Sequence, residues 1–189
     1  IDLGANPRSL AVGDVNDDGI PDVVVAVRGH FEVLLGEGGG FFAPKTSFQI
    51  DGDPQAIALG DLNGDGALDV ALTTLLGSRV LLFLGNREGD FAPPPVPSLV
   101  VGADPRSIAI NDLNGDGHLD IVTANTGSGH VSVLLNDAQG DFTPHPDQPF
   151  VVGDEPRGVV LGDLDSNGAL DIITANTFND NVSVLLGQG

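Results

Sequence analysis

Four stretches of this 189-residue chain place an oxygen-bearing side chain at every second residue. They open with Asp14, Asn16 and Asp18; with Asp61, Asn63 and Asp65; with Asp112, Asn114 and Asp116; and with Asp163, Asp165 and Asn167. Each then has Gly at position six, a variable residue at position seven (Ile20, Ala67, His118, Ala169) and Asp at position nine (Asp22, Asp69, Asp120, Asp171). That is the chemistry of a hard divalent cation. Calcium takes six to eight oxygens from carboxylates, side-chain amides and backbone carbonyls. Alternate residues aim their oxygens at one point, and the glycine permits a sharp turn that a Cβ would hinder. Position seven can serve through its carbonyl, and the position-nine carboxylate can close the shell with both oxygens. Magnesium prefers a compact octahedron that keeps several waters, and suits the pattern less. The expectation is one Ca²⁺ per loop.

The loop is not an EF-hand. That loop needs Glu at position twelve, where this chain has Val25, Leu72, Thr123 and Thr174. A single copy would pass for an acidic Asn-Gly or Asp-Gly hairpin turn. Four copies of one grammar argue otherwise, because three carboxylates crowded into a turn repel one another without a cation. Four divalent ions add eight charges and would move the formal net charge from −20 to −12.

Other candidates are weaker. Arg8, Arg106 and Arg157 follow the repeated Pro in three of the four units and make up three of only seven basic residues. One reading is a partial cationic ring that binds an anion or an acidic sugar; the other is an ion pair in each repeat that orders a turn. His30, His118, His130 and His145 share no repeat position and are expected to be solvated. Ser128 lies in Gly-Ser-Gly-His, without the Gly-x-Ser-x-Gly elbow of a catalytic serine. Residues 36–40 resemble a phosphate loop only superficially, since no Lys-Ser/Thr follows. No catalytic residue is assigned.

Composition narrows the partners. Against 7 Lys and Arg stand 27 Asp and Glu, so phosphate backbones and anionic lipid are repelled and nucleic acid is a poor partner. With no Cys, disulfides and thiolate chemistry are excluded. No apolar run approaches the ~18 residues of a membrane span. The sequence opens at Ile1 with neither an initiator Met nor a leader pattern, as a mature or excised chain would.

The loops must be held by strands. First strands are predicted over 9–12, 56–59, 107–110 and 158–161; second strands over 22–27, 69–74, 120–124 and 171–175; third strands over 31–35, 79–84, 130–135 and 181–186. Val, Ile and Leu fill these runs and turn residues bound them. A looser, proline-interrupted fourth strand is predicted over 47–50, 98–101 and 148–152. No segment carries a 3.6-residue stripe, so no helix is expected. Four strands at a period of about 50 residues read as an all-β fold, a β-propeller of four-stranded blades. An open β-solenoid or a sandwich is the alternative. The chain divides into one domain, 1–189, with repeats near 5–52, 53–102, 103–153 and 154–189. Residues 1–4 align with 150–153, the end of a fourth strand, and could supply part of the last blade's outer strand; no stretch after Gly189 matches 141–148, so either the closure is imperfect or the chain is cut from a longer array.

The run G-x-x-P-R-S-I-A-I-x-D-L-N-G-D-G-x-L-D-I-V-T-A-N…V-S-V-L-L at 102–135 resembles the FG-GAP/VCBS repeat, found in integrin α subunits and many secreted bacterial proteins. The resemblance covers essentially the whole chain. It implies a calcium-bound propeller with the acidic loops on one face and ligand recognition mainly on the other. Family propellers usually have seven or eight blades where four repeats are seen here, and Gln55 departs from the repeated Arg. The function expected is a non-enzymatic, calcium-binding module for adhesion or recognition of an extracellular protein or glycan, secreted or at the cell surface. The alternative is a lectin, or a propeller fragment of a polysaccharide-degrading enzyme, although the absence of Trp and Tyr removes the usual sugar-stacking rings. A homodimer completing a larger ring is a further arrangement, since two sets of four blades make eight.

Overall fold

Each acidic loop connects two antiparallel strands that Val, Ile and Leu drive into a sheet. The computed structural model describes residues 1–3, 6–93, 98–137 and 140–188. The first sheet has the order β1 (Pro7–Gly13), β2 (Asp22–Val27), β3 (His30–Leu34), β6 (Thr46–Gln49), with a small hairpin of β4 (Gly36–Gly38) and β5 (Phe41–Phe42) beside it. In the second, β7 (Pro54–Gly60), β8 (Asp69–Thr74) and β9 (Arg79–Gly85) are followed by β10 (Phe91–Ala92) and β11 (Ser98–Val100), which both pair with β9. The third repeats this with β12 (Pro105–Asn111), β13 (Asp120–Asn125), β14 (His130–Asn136), β15 (Phe142–Pro144) and β16 (Phe150–Val151). The fourth has β17 (Pro156–Gly162), β18 (Asp171–Asn176) and β19 (Asn181–Leu185). Among the described residues there is no helix.

The first three strands of every repeat stand where expected, with shifts of one or two residues at their ends. First strands begin earlier, at the repeated proline, because Pro7, Pro54, Pro105 and Pro156 join the ladder across a bulge. The single fourth strand needs correction. In the second and third sheets it is two short pieces at opposite ends of the third strand. Prolines between the pieces have no N–H to offer a ladder. In the fourth sheet no fourth strand is present among the described residues, and residues 1–3 do not pair with β19. Gly4, Ala5 and Gly189, which bound the expected repeats, lie outside the described residues.

The sheets stack in series, each burying apolar side chains against the next. Val24, Ala26, Phe31 and Val33 of the first sheet meet Ile57, Val70 and Leu72 of the second. Phe31 stacks on Phe48 at 4.8 Å and meets Phe91 edge-on at 5.7 Å. Ala71, Val80 and Leu82 meet Ile121 and Leu134; Val122, Val131 and Val133 meet Val159 and Ile172. A small fourth cluster of Val25, Val27 and Leu34 covers the outer side of the first sheet under Leu3 and Phe42. There the buried Glu32 accepts a hydrogen bond from Lys45 Nζ at 2.8 Å, and the same ammonium donates to the carbonyl of Leu3 at 2.8 Å. That cation holds the N-terminal segment on the sheet.

Candidate metal centre

The β1–β2, β7–β8, β12–β13 and β17–β18 connections fold alike because their side chains replace missing backbone partners. In all four, the position-one Asp accepts the position-five N–H at 3.1 Å on Oδ1. Its Oδ2 accepts the N–H of the position-six glycine at 2.7–2.9 Å. The position-five side chain accepts the position-seven N–H from Ile20, Ala67, His118 and Ala169. Oxygens at positions one, three and five therefore all turn inward. Gly19, Gly66, Gly117 and Gly168 have φ between 83° and 90°, the left-handed turn that the sequence required there. Asn16, Asn63 and Asn114 each donate from Nδ2 to the position-five carboxylate, Asp18, Asp65 and Asp116, at 2.8–2.9 Å. The fourth loop inverts this pair, Asn167 donating to Asp165 at 3.2 Å, so the exchanged order keeps the bond.

Position nine does a second task. Asp22, Asp69, Asp120 and Asp171 are wholly buried. Each accepts a loop N–H on Oδ2, from Val15, Leu62, Leu113 and Leu164, at 2.8–2.9 Å. Each Oδ1 accepts an N–H from just past the middle of the repeat, from Gly36, Gly85, Asn136 and Gly187, at 2.7–2.9 Å. One carboxylate thus staples the loop to the end of the third strand. Gly85 and Gly187 were not singled out from sequence, and Gly36 stood there only as the start of the stretch at 36–40. At Gly85 a Cβ would stand 2.2 Å from the carbonyl oxygen of Leu68, and Gly36 and Gly187 are equally confined.

The donor set fits a hard cation. Carboxylate oxygens of Asp163, Asp165 and Asp171 lie within 4.8 Å of one another. Ligands across a calcium ion at 2.3–2.6 Å stand about that far apart. In the other loops position three is Asn, whose carbonyl is an oxygen donor of the same reach. Burial dominates the electrostatics of position nine. Burial pushes Asp69 up to about 6, against the N–H groups of Gly85 and Leu62, and the charges of Asp65 and Asp61 add to the rise. Burial likewise raises Asp120. The Asn114 amide and the His118 N–H hold exposed Asp116 below the usual carboxylate range.

Arg106 pairs with Asp104 at 3.1 Å, Arg157 with Glu155 at 3.0 Å, and Arg8 reaches Asp53 at 3.3 Å. Each guanidinium of the repeated set is thus tied to a nearby carboxylate. The histidines are half-buried rather than solvated. Three of them reach a partner in their own sheet: His30 Nε2 lies 3.2 Å from Glu32, His130 meets Asn125, and the His145 ring lies 5.2 Å from that of Phe150. Arg87 was not anticipated. Its guanidinium donates to the backbone carbonyl of Asp65 and lies 3.7 Å from Asp17, spanning the first two loops. Between the third and fourth sheets lies a cleft of about 440 Å³, with His145, Asp147 and Phe150 in its lining.

Comparison with known proteins adds a family and a fold. Residues 3–72, 74–123 and 112–174 match the FG-GAP-like repeat. No curated protein matches the sequence. Among solved structures, a lectin from Agrocybe aegerita, described as recognising non-reducing terminal N-acetylglucosamine, is 23% identical with a TM-score of 0.59; the match covers 95% of this chain and 49% of that one. BBS1N, solved in complex with ARL6DN, is 15% identical with a TM-score of 0.60, over 98% of this chain and 59% of that one. A protein of unknown function from Desulfotomaculum acetoxidans is 14% identical with a TM-score of 0.56, over 100% and 72%. At these identities the likeness is one of fold. The chain spans about half the length of the first two.

Proposed function

The chain belongs to the FG-GAP-like repeat family, and from that premise we propose that it is a non-enzymatic, calcium-binding, β-propeller-like module for extracellular adhesion or recognition. The observation that carries the metal reading is the convergence of Asp163, Asp165 and Asp171 in one loop, with the same oxygen-only grammar in three others. Side chains at positions one, three, five and nine, with the position-seven carbonyl, would hold the ion. Calcium would supply charge neutralisation and a rigid tie between first and second strands. Extracellular modules work with sites of about 10⁻⁴–10⁻³ M, which suits exposed loops of this kind.

Calorimetric titration of metal-stripped protein tests this. About one Ca²⁺ per loop is expected, with a rise in melting temperature that tracks calcium concentration; at 100 times Kd the ion adds about 2.7 kcal/mol per site. Absence of heat and of any thermal shift would sink the reading. A second reading, binding of a glycan, is favoured by the cleft, where Asp147, Asn114 and Gln188 stand beside the rings of His145 and Phe150 on a largely aliphatic wall. A glycan array with and without calcium separates the two.

A further inference from the structure

We propose that Asn136 is a positioning residue that couples the second and third acidic loops, so that calcium held by one is held more tightly by the other. The inference rests on the calcium reading above and adds that the sites are not independent. One repeat position at the end of the third strand holds Gly36, Gly85, Asn136 and Gly187. All four give their backbone N–H to the position-nine Asp. Of these four, Asn136 alone has a side chain, and it is 5% exposed.

Its amide grips both loops. Nδ2 donates to the Leu119 carbonyl at 3.1 Å and to the Leu62 carbonyl at 2.8 Å. The first carbonyl belongs to the peptide between positions eight and nine of the third loop, next to Asp120. The second belongs to the peptide between positions two and three of the second loop, next to Asn63. The Leu62 N–H is in turn held by Asp69 Oδ2 at 2.9 Å. A chain of bonds thus runs from Asp120 through Asn136 and Leu62 to Asp69. It lies in the apolar seam where Leu62 packs with Ile121 and Leu134. Away from water, hydrogen bonds of this kind are stronger and reinforce one another. Asn136 Oδ1 is buried with no donor among the described residues, so only the donor half of the amide makes bonds.

The other seams lack this amide. Gly85 and Gly187 have no side chain to reach the corresponding carbonyls of Val15 and Leu113. Arg87 crosses from the second loop to the first, but its contact with Asp17 is 3.7 Å long and exposed, and such pairs contribute little. The coupling is a matter of ordering. Committing positions seven and nine of the third loop to a cation fixes the Leu119–Asp120 peptide. Asn136 then holds the Leu62–Asn63 peptide in the orientation that turns the Asn63 oxygen inward. The second loop has less freedom left to lose on binding, which is positive cooperativity without a change of fold. Linkage makes the effect reciprocal.

Nuclear magnetic resonance tests it loop by loop. The amide signals of Gly19, Gly66, Gly117 and Gly168 report the four loops separately while calcium is added to stripped protein. Asp116→Asn keeps an acceptor for the His118 N–H and weakens the third site. In that variant the Gly66 midpoint should move to about 5-fold higher calcium, the lower end of ordinary coupling, with Gly19 and Gly168 unmoved. Asp65→Asn should move Gly117 by the same factor. Asn136→Gly installs the residue of the other three repeats, and Asn136→Ala keeps the Cβ; in either background Asp116→Asn should no longer move Gly66. A Gly66 midpoint indifferent to Asp116→Asn overturns the coupling and leaves the calcium reading standing. So does a shift that survives loss of the Asn136 amide, or one toward lower calcium. If no loop signal moves with calcium, the calcium reading falls and the coupling falls with it.

Discussion

A loop carboxylate here serves the backbone and, in the calcium-bound form we propose, the cation as well. Asp65 accepts the Ala67 N–H and the Asn63 amide, bonds within the protein itself. Asp65→Ala should therefore lower the calcium stoichiometry by one in a calorimetric titration and lower the melting temperature even in the stripped protein. For a chain of this size each kcal/mol lost moves the melting temperature by about 2–4 °C. Asp69 adds a pH signature. Its pKa rises from an ordinary 3.8 to about 6 in the folded chain, so the native state holds the proton more tightly than the unfolded one. In metal-stripped protein its contribution is most favourable below about pH 4 and is lost as pH rises through 6. Thermal melts between those values should show that slope, and Asp69→Asn should flatten it; an unchanged slope in the variant would assign it to other carboxylates. The inward turn of positions one, three and five was legible because alternation is a local property. The stapling role of position nine was not, because its second partner is 14 to 16 residues away and is brought back only by the hairpin.

At the level of strands, the position after the third strand matters as much as the loop it touches. Gly85→Ala would drive a methyl into the Leu68 carbonyl. Overpacking of this kind costs about 1–3 kcal/mol. A chemical denaturation midpoint equal to that of the parent would show that the backbone yields instead. Strands one to three could be read in advance from β-branched runs and bounding turns, and β8 matches its expected limits of Asp69 and Thr74. The fourth strand could not. Its prolines signalled interruption, but the position at which each fragment rejoins the third strand depends on Phe91, Phe142 and Phe150 finding apolar neighbours in the stacked core. Asn136 shows the same limit. It replaces the usual glycine and spans two sheets by donating to the carbonyls of Leu62 and Leu119, which nothing in its local sequence announces.

Across the whole molecule, a formal charge of −20 on 189 residues works against compactness. Added sodium chloride should raise the melting temperature of the stripped protein by screening that repulsion, and should do so less once calcium is bound. An equal salt effect in both states would place the excess charge outside the loops. Series stacking carries a different consequence. Among the described residues the buried core of the fourth sheet packs on the third alone, while the second and third sheets each pack on two neighbours. Opening therefore spreads inward from β17–β19 rather than striking everywhere at once. Amide hydrogens of β18 should trade for deuterium well before those of β8 and β13, in a gradient that follows the number of packed neighbours.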